Sequence, residues 1–260
     1  MYPEIFSLGP FTVQGYGLMI FIGVMLGYAY MLANLKHHGL KSDDVSEMFL
    51  WCFASVIVGG KLFFWLEDPG AYVREPEKLF KSFGNGFVFY GSFLVTVPVL
   101  VFWFKKKKID PWVGFDYAGI AGALVHAFGK LGCLLAGCCH GKVSEGANAI
   151  VFTNPNCHAS PLNTPLYPTQ LWDAILLFTA IGIMGLMKRK KWFDGQLFLT
   201  YGLVYAIGRF FTEKYRGDEE RGFVLNGLLS HSQAIAIAVF SVCLLIFIWR
   251  YKTTRKTHAV

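Results

Sequence analysis

Long apolar segments alternate with short polar segments along this chain. A helix needs roughly 20 apolar residues to cross a hydrocarbon core about 30 Å thick. Three of the apolar segments have no Asp, Glu, Lys or Arg, and the others have one or two. The segments are 11–35, 48–66, 82–104, 115–137, 171–187, 195–212 and 231–249. The pattern predicts an all-α integral membrane protein with seven transmembrane helices.

The basic residues between these segments indicate how the helices are oriented. Fourteen of the 24 Lys and Arg residues lie in one alternating set of loops and the C-terminal tail, including the clusters 105–108 and 188–191. Seven lie in the other set. Because positive loops stay in the cytoplasm, we expect the N-terminus outside and the C-terminus cytoplasmic. The first segment has no basic region before it, which favours an uncleaved helix.

Composition narrows the class of protein. Hydrophobic residues make up 54% of the chain and charged residues 16%, against about 25% charged in soluble domains. This excludes a disordered chain, a soluble nucleic-acid-binding protein and a small disulfide scaffold. The net charge of +7 instead indicates basic loops beside an anionic membrane surface. The predicted partner is therefore the lipid bilayer, and not nucleic acid.

The predicted organisation is a single transmembrane domain, 1–260, because the chain has no internal repeat and no long linker. Two longer segments, 67–84 and 138–170, fall on the predicted outer side. The second is rich in Pro, Asn, Ser and Thr, which is typical of irregular structure. We expect these segments to form a small extracytoplasmic cap.

Three basic residues lie inside the apolar segments, at Lys61, Lys130 and Arg209. Each costs roughly 2.5–3.5 kcal/mol on insertion scales, so such residues usually face a polar interior and have a role. Their acidic counterparts, near segment ends, are Asp116, Asp173 and Glu213. A cationic cluster in the outer half of a bundle suits an anionic group such as a lipid phosphate.

Helical spacing predicts two polar faces. One is formed by His126, Lys130, Cys133 and Gly137, on a glycine-rich helix that allows close approach of a neighbour. The other is formed by Tyr205, Arg209, Glu213 and Arg216. A simpler alternative remains open, in which Arg209–Glu213 is a structural ion pair and Lys130 extends to a lipid headgroup.

The six cysteines divide into two groups. Cys52 and Cys243 lie within apolar segments, where packing is the expected role. Cys133, Cys138, Cys139 and Cys157 lie at or beyond the outer face. A disulfide between Cys157 and either Cys138 or Cys139 is plausible in an oxidising compartment. Their linear spacing is not typical of a metal site, so we expect no metal and no cofactor.

Five motifs follow one another along the chain. They are FSLGPFTVQGYGLM (6–19), GFVFYGSF (86–93), GKLGCLLAGCCHGK (129–142), YPTQLWDA (167–174) and YGLVYAIGRFFTEKYRGD (201–218). In this order they resemble the bacterial prolipoprotein diacylglyceryl transferases, and the CC pair resembles a Cys-rich branch of that family. The resemblance covers residues 6 to about 233 and includes the seven-span, N-outside topology.

The resemblance implies a specific reaction at the bacterial cytoplasmic (inner) membrane. Family members transfer the diacylglyceryl group of phosphatidylglycerol to the lipobox cysteine thiol in the signal peptide of a preprolipoprotein, the first step of lipoprotein maturation. The implied catalytic residues are Tyr90, His140, Arg209 and Glu213. The implied binding residues for the phosphate and headgroup are Tyr16, Lys130, Gly132, Cys133, Gly141, Gln170, Arg209 and Arg216.

Several positions depart from the family pattern. Lys130 replaces Arg, Cys133 replaces Asn, Tyr167 replaces His, and Tyr90 replaces the histidine that is the family's candidate base. A tyrosine is a poor base at pH 7 because its usual pKa is near 10. Either Tyr90 donates a hydrogen bond to the phosphate, or the thiol proton goes to one of three other residues, His126, His140 or Glu213.

These departures also favour, as an alternative, a divergent paralogue with another lipid group or acceptor. A transporter that uses Arg209–Glu213 as a gate is a third hypothesis. The absence of an internal repeat weighs against the transporter.

Overall fold

The structure, a computed structural model, describes residues 1–9, 11–67, 74, 77, 89–217, 223–224 and 228–258. Within them lie seven helices of 17 to 28 residues. They are α1 (Gly15–Leu35), α2 (Ser42–Glu67), α3 (Phe89–Lys106), α4 (Pro111–Ala136), α5 (Thr169–Met187), α6 (Gln196–Thr212) and α7 (His231–His258). Each helix overlaps one predicted apolar segment, so the mostly helical fold is confirmed.

Short strands supplement the helices, and the all-α prediction missed them. They are β1 (Glu4–Leu8), β2 (Phe11–Gln14), β3 (Ile150–Val151), β4 (Pro165–Leu166), β5 (Phe223–Val224) and β6 (Leu229–Ser230), paired antiparallel in chain order. β2 takes the residues predicted to begin the first helix. Its aromatic and β-branched residues suit a strand, so α1 begins at Gly15 and not at residue 11.

Within the part of the chain that the structure describes, five helical segments are long and apolar enough to cross a membrane, judged by length and composition. They are Gly15–His38, Ser42–Leu66, Pro111–Ala136, Thr169–Lys190 and His231–Arg255. Large apolar side chains on these helices stay exposed, for example Leu50 at 70% and Leu186 at 77%. A soluble surface rarely has so much exposed apolar area, so the fold is consistent with an integral membrane protein.

The chain divides into two compact units, Met31–Gly114 and Met1–Tyr30 with Phe115–Val260. In the unit Met31–Gly114, α2 and α3 run antiparallel. The Ser55 and Thr96 hydroxyls are 2.9 Å apart, and Lys107 Nζ lies 2.8 Å from Glu47 Oε2. Lys61 is buried in this unit, over the ring of Phe64.

In the other unit, α4, α5, α6 and α7 alternate in direction, so four helix termini meet at one end. We call the end formed by the C-termini of α4 and α6 and the N-termini of α5 and α7 the site end. Hydrogen bonds connect these termini, from Thr169 Oγ1 to the Cys139 carbonyl (2.7 Å) and from Ser230 Oγ to Glu213 Oε1 (2.9 Å). The start of α1 also lies here, since Gly132 contacts Tyr16.

The opposite end of this unit is organised by Asp116, which is fully buried. One carboxylate oxygen accepts the Leu197 backbone N–H at the start of α6 (2.7 Å), and the other pairs with Lys191 Nζ (2.8 Å). Burial lowers the pKa of Lys191, but hydrogen bonds to Asp116 and Asp194 outweigh this and raise it. Asp116 therefore caps a helix that begins far from the site end.

The structure describes the two predicted cap segments to different extents. The segment 67–84 lies outside the described residues, apart from residues 67, 74 and 77. The segment predicted at 138–170 corresponds to the connection 137–168 between α4 and α5, which carries β3 and β4. Its own apolar cluster consists of Phe152, Cys157, Ala159 and Leu166. This cluster anchors an otherwise irregular segment against the site end.

Candidate active site

Lys130 and Asp173 form an ion pair between α4 and α5. Lys130 Nζ lies 2.7 Å from Asp173 Oδ2, and the two side chains are 12% and 0% exposed. Asp173 shares one buried face of α5 with Thr169 and Gln170. Asp173 Oδ1 has no hydrogen-bond partner among the described residues. An isolated buried lysine would have a desolvation cost of several kcal/mol, and the ion pair offsets part of that cost.

Arg209 and Glu213 form a second ion pair within α6 and its extension. Arg209 Nη2 lies 2.5 Å from Glu213 Oε2 and donates to Ser232 Oγ at 3.3 Å. Ser230 Oγ donates to the other Glu213 oxygen. Arg209 Nη1 is buried and has no hydrogen-bond partner among the described residues. Of the two terminal nitrogens of the guanidinium, Nη2 is therefore occupied and Nη1 is available.

The two ion pairs converge on Tyr205, one turn before Arg209. The Tyr205 hydroxyl interacts electrostatically with Lys130, Asp173, Arg209 and Arg216. Arg216 is itself buried. With Glu213, this cluster contains three cations and two carboxylates, so it has one excess positive charge. A buried site of this charge is suited to an anion.

Arg216 and Gly141 are held together by backbone pairing. They form an isolated antiparallel bridge, which is extended by hydrogen bonds from Lys142 N to the Tyr215 carbonyl (2.8 Å) and from Gly217 N to the His140 carbonyl (3.2 Å). A Cβ atom at Gly141 would clash with Tyr167 and with the Tyr215 carbonyl. Gly141 is therefore required here for close approach of the backbones, and it fixes the position of Arg216.

His140 is fixed by its backbone neighbours. Its Nδ1 lies 2.9 Å from the Gly141 carbonyl, and the Ser160 backbone N–H donates to its Nε2 at 3.2 Å. An acceptor at Nε2 and a carbonyl beside Nδ1 require the neutral ring with the proton on Nδ1. Both nitrogens are thus engaged, as are both Glu213 oxygens. Two of the predicted proton acceptors therefore have structural partners.

Three further residues considered in the sequence analysis, Tyr16, Gly132 and His126, lie in the same unit as this cluster. Tyr16 stands at the start of α1, 46% exposed, and Gly132 lies directly against it. His126 Nδ1 lies 2.8 Å from the Tyr201 hydroxyl. Tyr90 is in the first turn of α3, but its side chain lies outside the described residues. Its predicted role stays a prediction.

Three cysteines meet where α4 ends. The sulfur atoms of Cys133, Cys138 and Cys139 all lie within 4.8 Å of one another. All six cysteines are free, so the disulfide considered between Cys157 and Cys138 or Cys139 is not present, and Cys157 is not part of this group. Hydrogen bonds from the Cys133 and Cys138 thiols, together with the charges of Arg216 and Lys130, lower the pKa of the Cys139 thiol.

Backbone geometry brings these cysteines together. Gly137 has a φ of +79° and ends α4, in the manner of a left-handed C-cap. Cys139 also has a positive φ, of 60°, which a non-glycine residue adopts only when its surroundings impose it. Two fully buried side chains hold the backbone here. Thr169 donates a hydrogen bond to the Cys139 carbonyl and Gln170 Nε2 donates one to the Cys138 carbonyl, each at 2.7 Å.

Sequence reasoning missed several of these residues. Thr169 stands in the YPTQLWDA motif, next to Gln170, but the motif predicted only Gln170 as a site residue. Asp173 was named as an acidic counterpart but was not placed in the site. Tyr205 was placed on the polar face without a role. Its position one turn before Arg209 was the signal that could have identified it.

These observations define the class as a helical membrane protein with a buried cationic site beside a thiol cluster. Residues 3–249 match the family described as Prolipoprotein diacylglyceryl transferase, and the chain belongs to this family.

Curated relatives agree with the family assignment. The chain is 33% identical over 256 residues to the phosphatidylglycerol–prolipoprotein diacylglyceryl transferase of Clostridium tetani, covering 98% of this chain and 100% of the relative. It is 34% identical over 239 residues to the transferase 2 of Clostridium perfringens, covering 91% and 89%. A relative in Dehalococcoides mccartyi is 27% identical over 259 residues, covering 99% and 97%.

Proposed function

We propose that this protein transfers the diacylglyceryl group of phosphatidylglycerol to the lipobox cysteine thiol of preprolipoproteins. The family and the names of the relatives support the reaction. The observation that supports this site for the reaction is the convergence of Lys130, Arg209 and Arg216 around Tyr205. A lipid phosphodiester carries one negative charge, which offsets the single excess positive charge of this cluster.

The chemistry needs positive charge where the phosphate leaves. The thiolate attacks the glycerol carbon that carries the phosphate ester, the C–O bond breaks, and glycerol phosphate departs with an added negative charge. Donors that are already oriented toward this developing charge lower the barrier. Arg209 Nη1 is buried and lacks a hydrogen-bond partner among the described residues, so a phosphate oxygen is the partner that we assign to it.

The acyl chains need an apolar path to the same place. A groove opens between α6 and α7, and the described residues that line it have apolar side chains. They include Ala206, Phe210, Ala236, Ile237 and Phe240. Phe210 follows Arg209 directly in α6 and Ala206 lies one turn before it, so a lipid tail in this groove would place its headgroup near the cationic cluster. The chains would pass from one apolar environment to another, so the groove would position them by shape and contact and not by the hydrophobic effect.

The topology that we propose for this reaction has seven spans, with the N-terminus outside and the site end at the outer leaflet of the bacterial inner membrane. The alternating directions of α4 to α7 support it, because the basic cluster 188–191 then lies at the end opposite Arg209. The surplus of positive charge in that set of loops favours the cytoplasm. Cysteine-scanning with an impermeant thiol reagent on intact cells tests this orientation.

The activity is tested with the purified chain in phosphatidylglycerol vesicles and a synthetic lipobox peptide. We expect the peptide to gain one diacylglyceryl group on sulfur, measured by mass spectrometry. The controls are a peptide with Ser in place of the lipobox Cys, and vesicles without phosphatidylglycerol. Absence of the thioether product with a well-folded chain would contradict the proposal and would favour another lipid donor or acceptor.

A further inference from the structure

The thiol cluster has the composition of a metal site, which the linear spacing of its cysteines did not suggest. Cys133, Cys138 and Cys139 each offer one sulfur atom, all within 4.8 Å of one another. Cys133 is buried, whereas Cys138 and Cys139 are half-buried. The cluster therefore has one side closed by protein and one side that a ligand can reach.

The surrounding structure holds these sulfur atoms in place. Cys139 has a positive φ, and the buried Thr169 and Gln170 donate hydrogen bonds to the carbonyls of Cys139 and Cys138. Metal ligands are characteristically oriented by hydrogen bonds from the surrounding residues, and here such bonds hold the backbone of two of the three cysteines. A packing role for the cysteines would not require two fully buried polar side chains to fix their backbone.

We propose that Cys133, Cys138 and Cys139 bind a zinc ion whose fourth coordination position takes the acceptor thiol. Three thiolates are soft ligands that select zinc or copper(I), and zinc prefers four ligands in a tetrahedron. Catalytic zinc sites keep three protein ligands and leave the fourth position open. Four thiolates around Zn²⁺ carry two net negative charges, and alkylation of the acceptor sulfur removes one of them.

The site supplies a route for deprotonating the acceptor, because a thiol bound to zinc loses its proton outright. Here the thiol proton passes to water as the sulfur binds zinc. The sulfur then attacks the glycerol carbon, the S–C bond forms, the C–O bond breaks, and its electron pair leaves with glycerol phosphate. The neutral thioether binds zinc weakly and departs. His140 and Glu213 are not needed as bases, which agrees with their engaged atoms.

The first test is the metal content of the purified full-length chain, prepared without chelator and under reducing conditions. We expect about one zinc ion per chain and loss of most of it in Cys138→Ser and Cys139→Ser. Cys157→Ser is the matched control, because it lies in the same segment but outside the group, and it should retain zinc. A wild-type chain without zinc, or with copper instead, would overturn the proposal.

The second test reports on the fourth position without measuring turnover. Cobalt(II) replaces zinc, and its thiolate charge-transfer absorption is recorded before and after a lipobox peptide is added. We expect the absorption to rise as a fourth thiolate binds, and a peptide with Ser in place of Cys to leave it unchanged. An unchanged spectrum with the Cys peptide would show that the metal, if bound, does not contact the acceptor.

The inference rests on the proposed function for the identity of the acceptor thiol, and the two can fail separately. Transfer activity in a chain without zinc would refute the metal site and leave the function intact. Zinc binding and a peptide-dependent cobalt spectrum without transfer from phosphatidylglycerol would refute the function and leave the site intact. A Cys133–Cys138 or Cys133–Cys139 disulfide in the active chain would also refute the metal site.

Discussion

Arg209→Lys tests the proposed phosphate contact at the level of a single donor. A lysine keeps the positive charge and can still pair with Glu213, but it lacks the second nitrogen of the guanidinium fork. The lost group is Nη1, which is buried and has no hydrogen-bond partner among the described residues. A hydrogen bond to a charged group contributes about 1.5–3 kcal/mol. At 1.4 kcal/mol per tenfold, we expect kcat/KM to fall roughly 10- to 100-fold.

The assay measures initial rates of thioether formation in mixed vesicles over a range of phosphatidylglycerol fractions. If Nη1 contacts phosphate mainly in the transition state, kcat falls, whereas a contact of equal strength in the bound lipid raises KM. Arg250→Lys is the matched control, since Arg250 donates Nη2 to the Asp194 carbonyl at the opposite end. Unchanged kinetics for Arg209→Lys would show that Arg209–Glu213 is a structural ion pair.

Three further predictions concern the groove, the second ion pair and the opposite end. Ala236→Phe should fill the groove and raise KM for phosphatidylglycerol about tenfold, because the acyl chain loses about ten carbon contacts at 0.1–0.2 kcal/mol each, with a smaller effect on short-chain lipid. The exposed Leu245→Phe is the control, and an equal change in KM for all chain lengths would contradict this prediction. Asp173→Asn removes a negative charge beside Lys130 and should lower the inhibition constant of the product glycerol phosphate about tenfold. The constant is measured by adding glycerol phosphate to the assay. Weaker inhibition would argue against a phosphate near Lys130. Asp116→Ala should lower the free energy of unfolding in detergent by about 3–5 kcal/mol while the folded fraction stays active, and a fully stable but inactive variant would contradict its structural role.

The helices and the Arg209–Glu213 pair follow from local sequence rules. Each predicted apolar segment overlaps a helix in the structure, because a hydrophobic run long enough to span a bilayer has few other folds available. Arg209 and Glu213 are four residues apart on one helix, so their contact could be predicted from helix geometry alone. Contacts of this kind depend on short separations along the chain.

The thiol cluster could not be predicted from spacing, because it depends on two backbone conformations and on a second helix. Cys133 and Cys138 are five residues apart, and they meet only because Gly137 ends α4 and turns the chain back. Cys139 joins them because Thr169, thirty residues further on, holds its carbonyl. Tertiary hydrogen bonds of this kind leave no periodic signal in the sequence.

The first strand pair shows how local propensity can oppose an apolar pattern. Residues 11–14 lack formal charge and therefore extend the first apolar segment in any hydropathy count. The structure pairs them with β1 and starts the helix at Gly15, where the backbone N–H donates to the Pro3 carbonyl at 2.7 Å. The change matters for the site, since Tyr16 then stands in the first turn of α1 and reaches Gly132.

Under the proposed function, the paired state of the cations would explain how one site can bind a lipid phosphate and release a more highly charged product. An unpaired lysine or arginine inside a span would cost roughly 2.5–3.5 kcal/mol on insertion scales, and Asp173 and Glu213 reduce that cost before any lipid arrives. The same carboxylates compete with the phosphate for Lys130 and Arg209. Glycerol phosphate carries an added negative charge and would bind an unopposed cationic cluster tightly. In this proposal the carboxylates limit the affinity for product, while the donors that they leave unused, such as Arg209 Nη1, stabilise the charge that develops in the transition state.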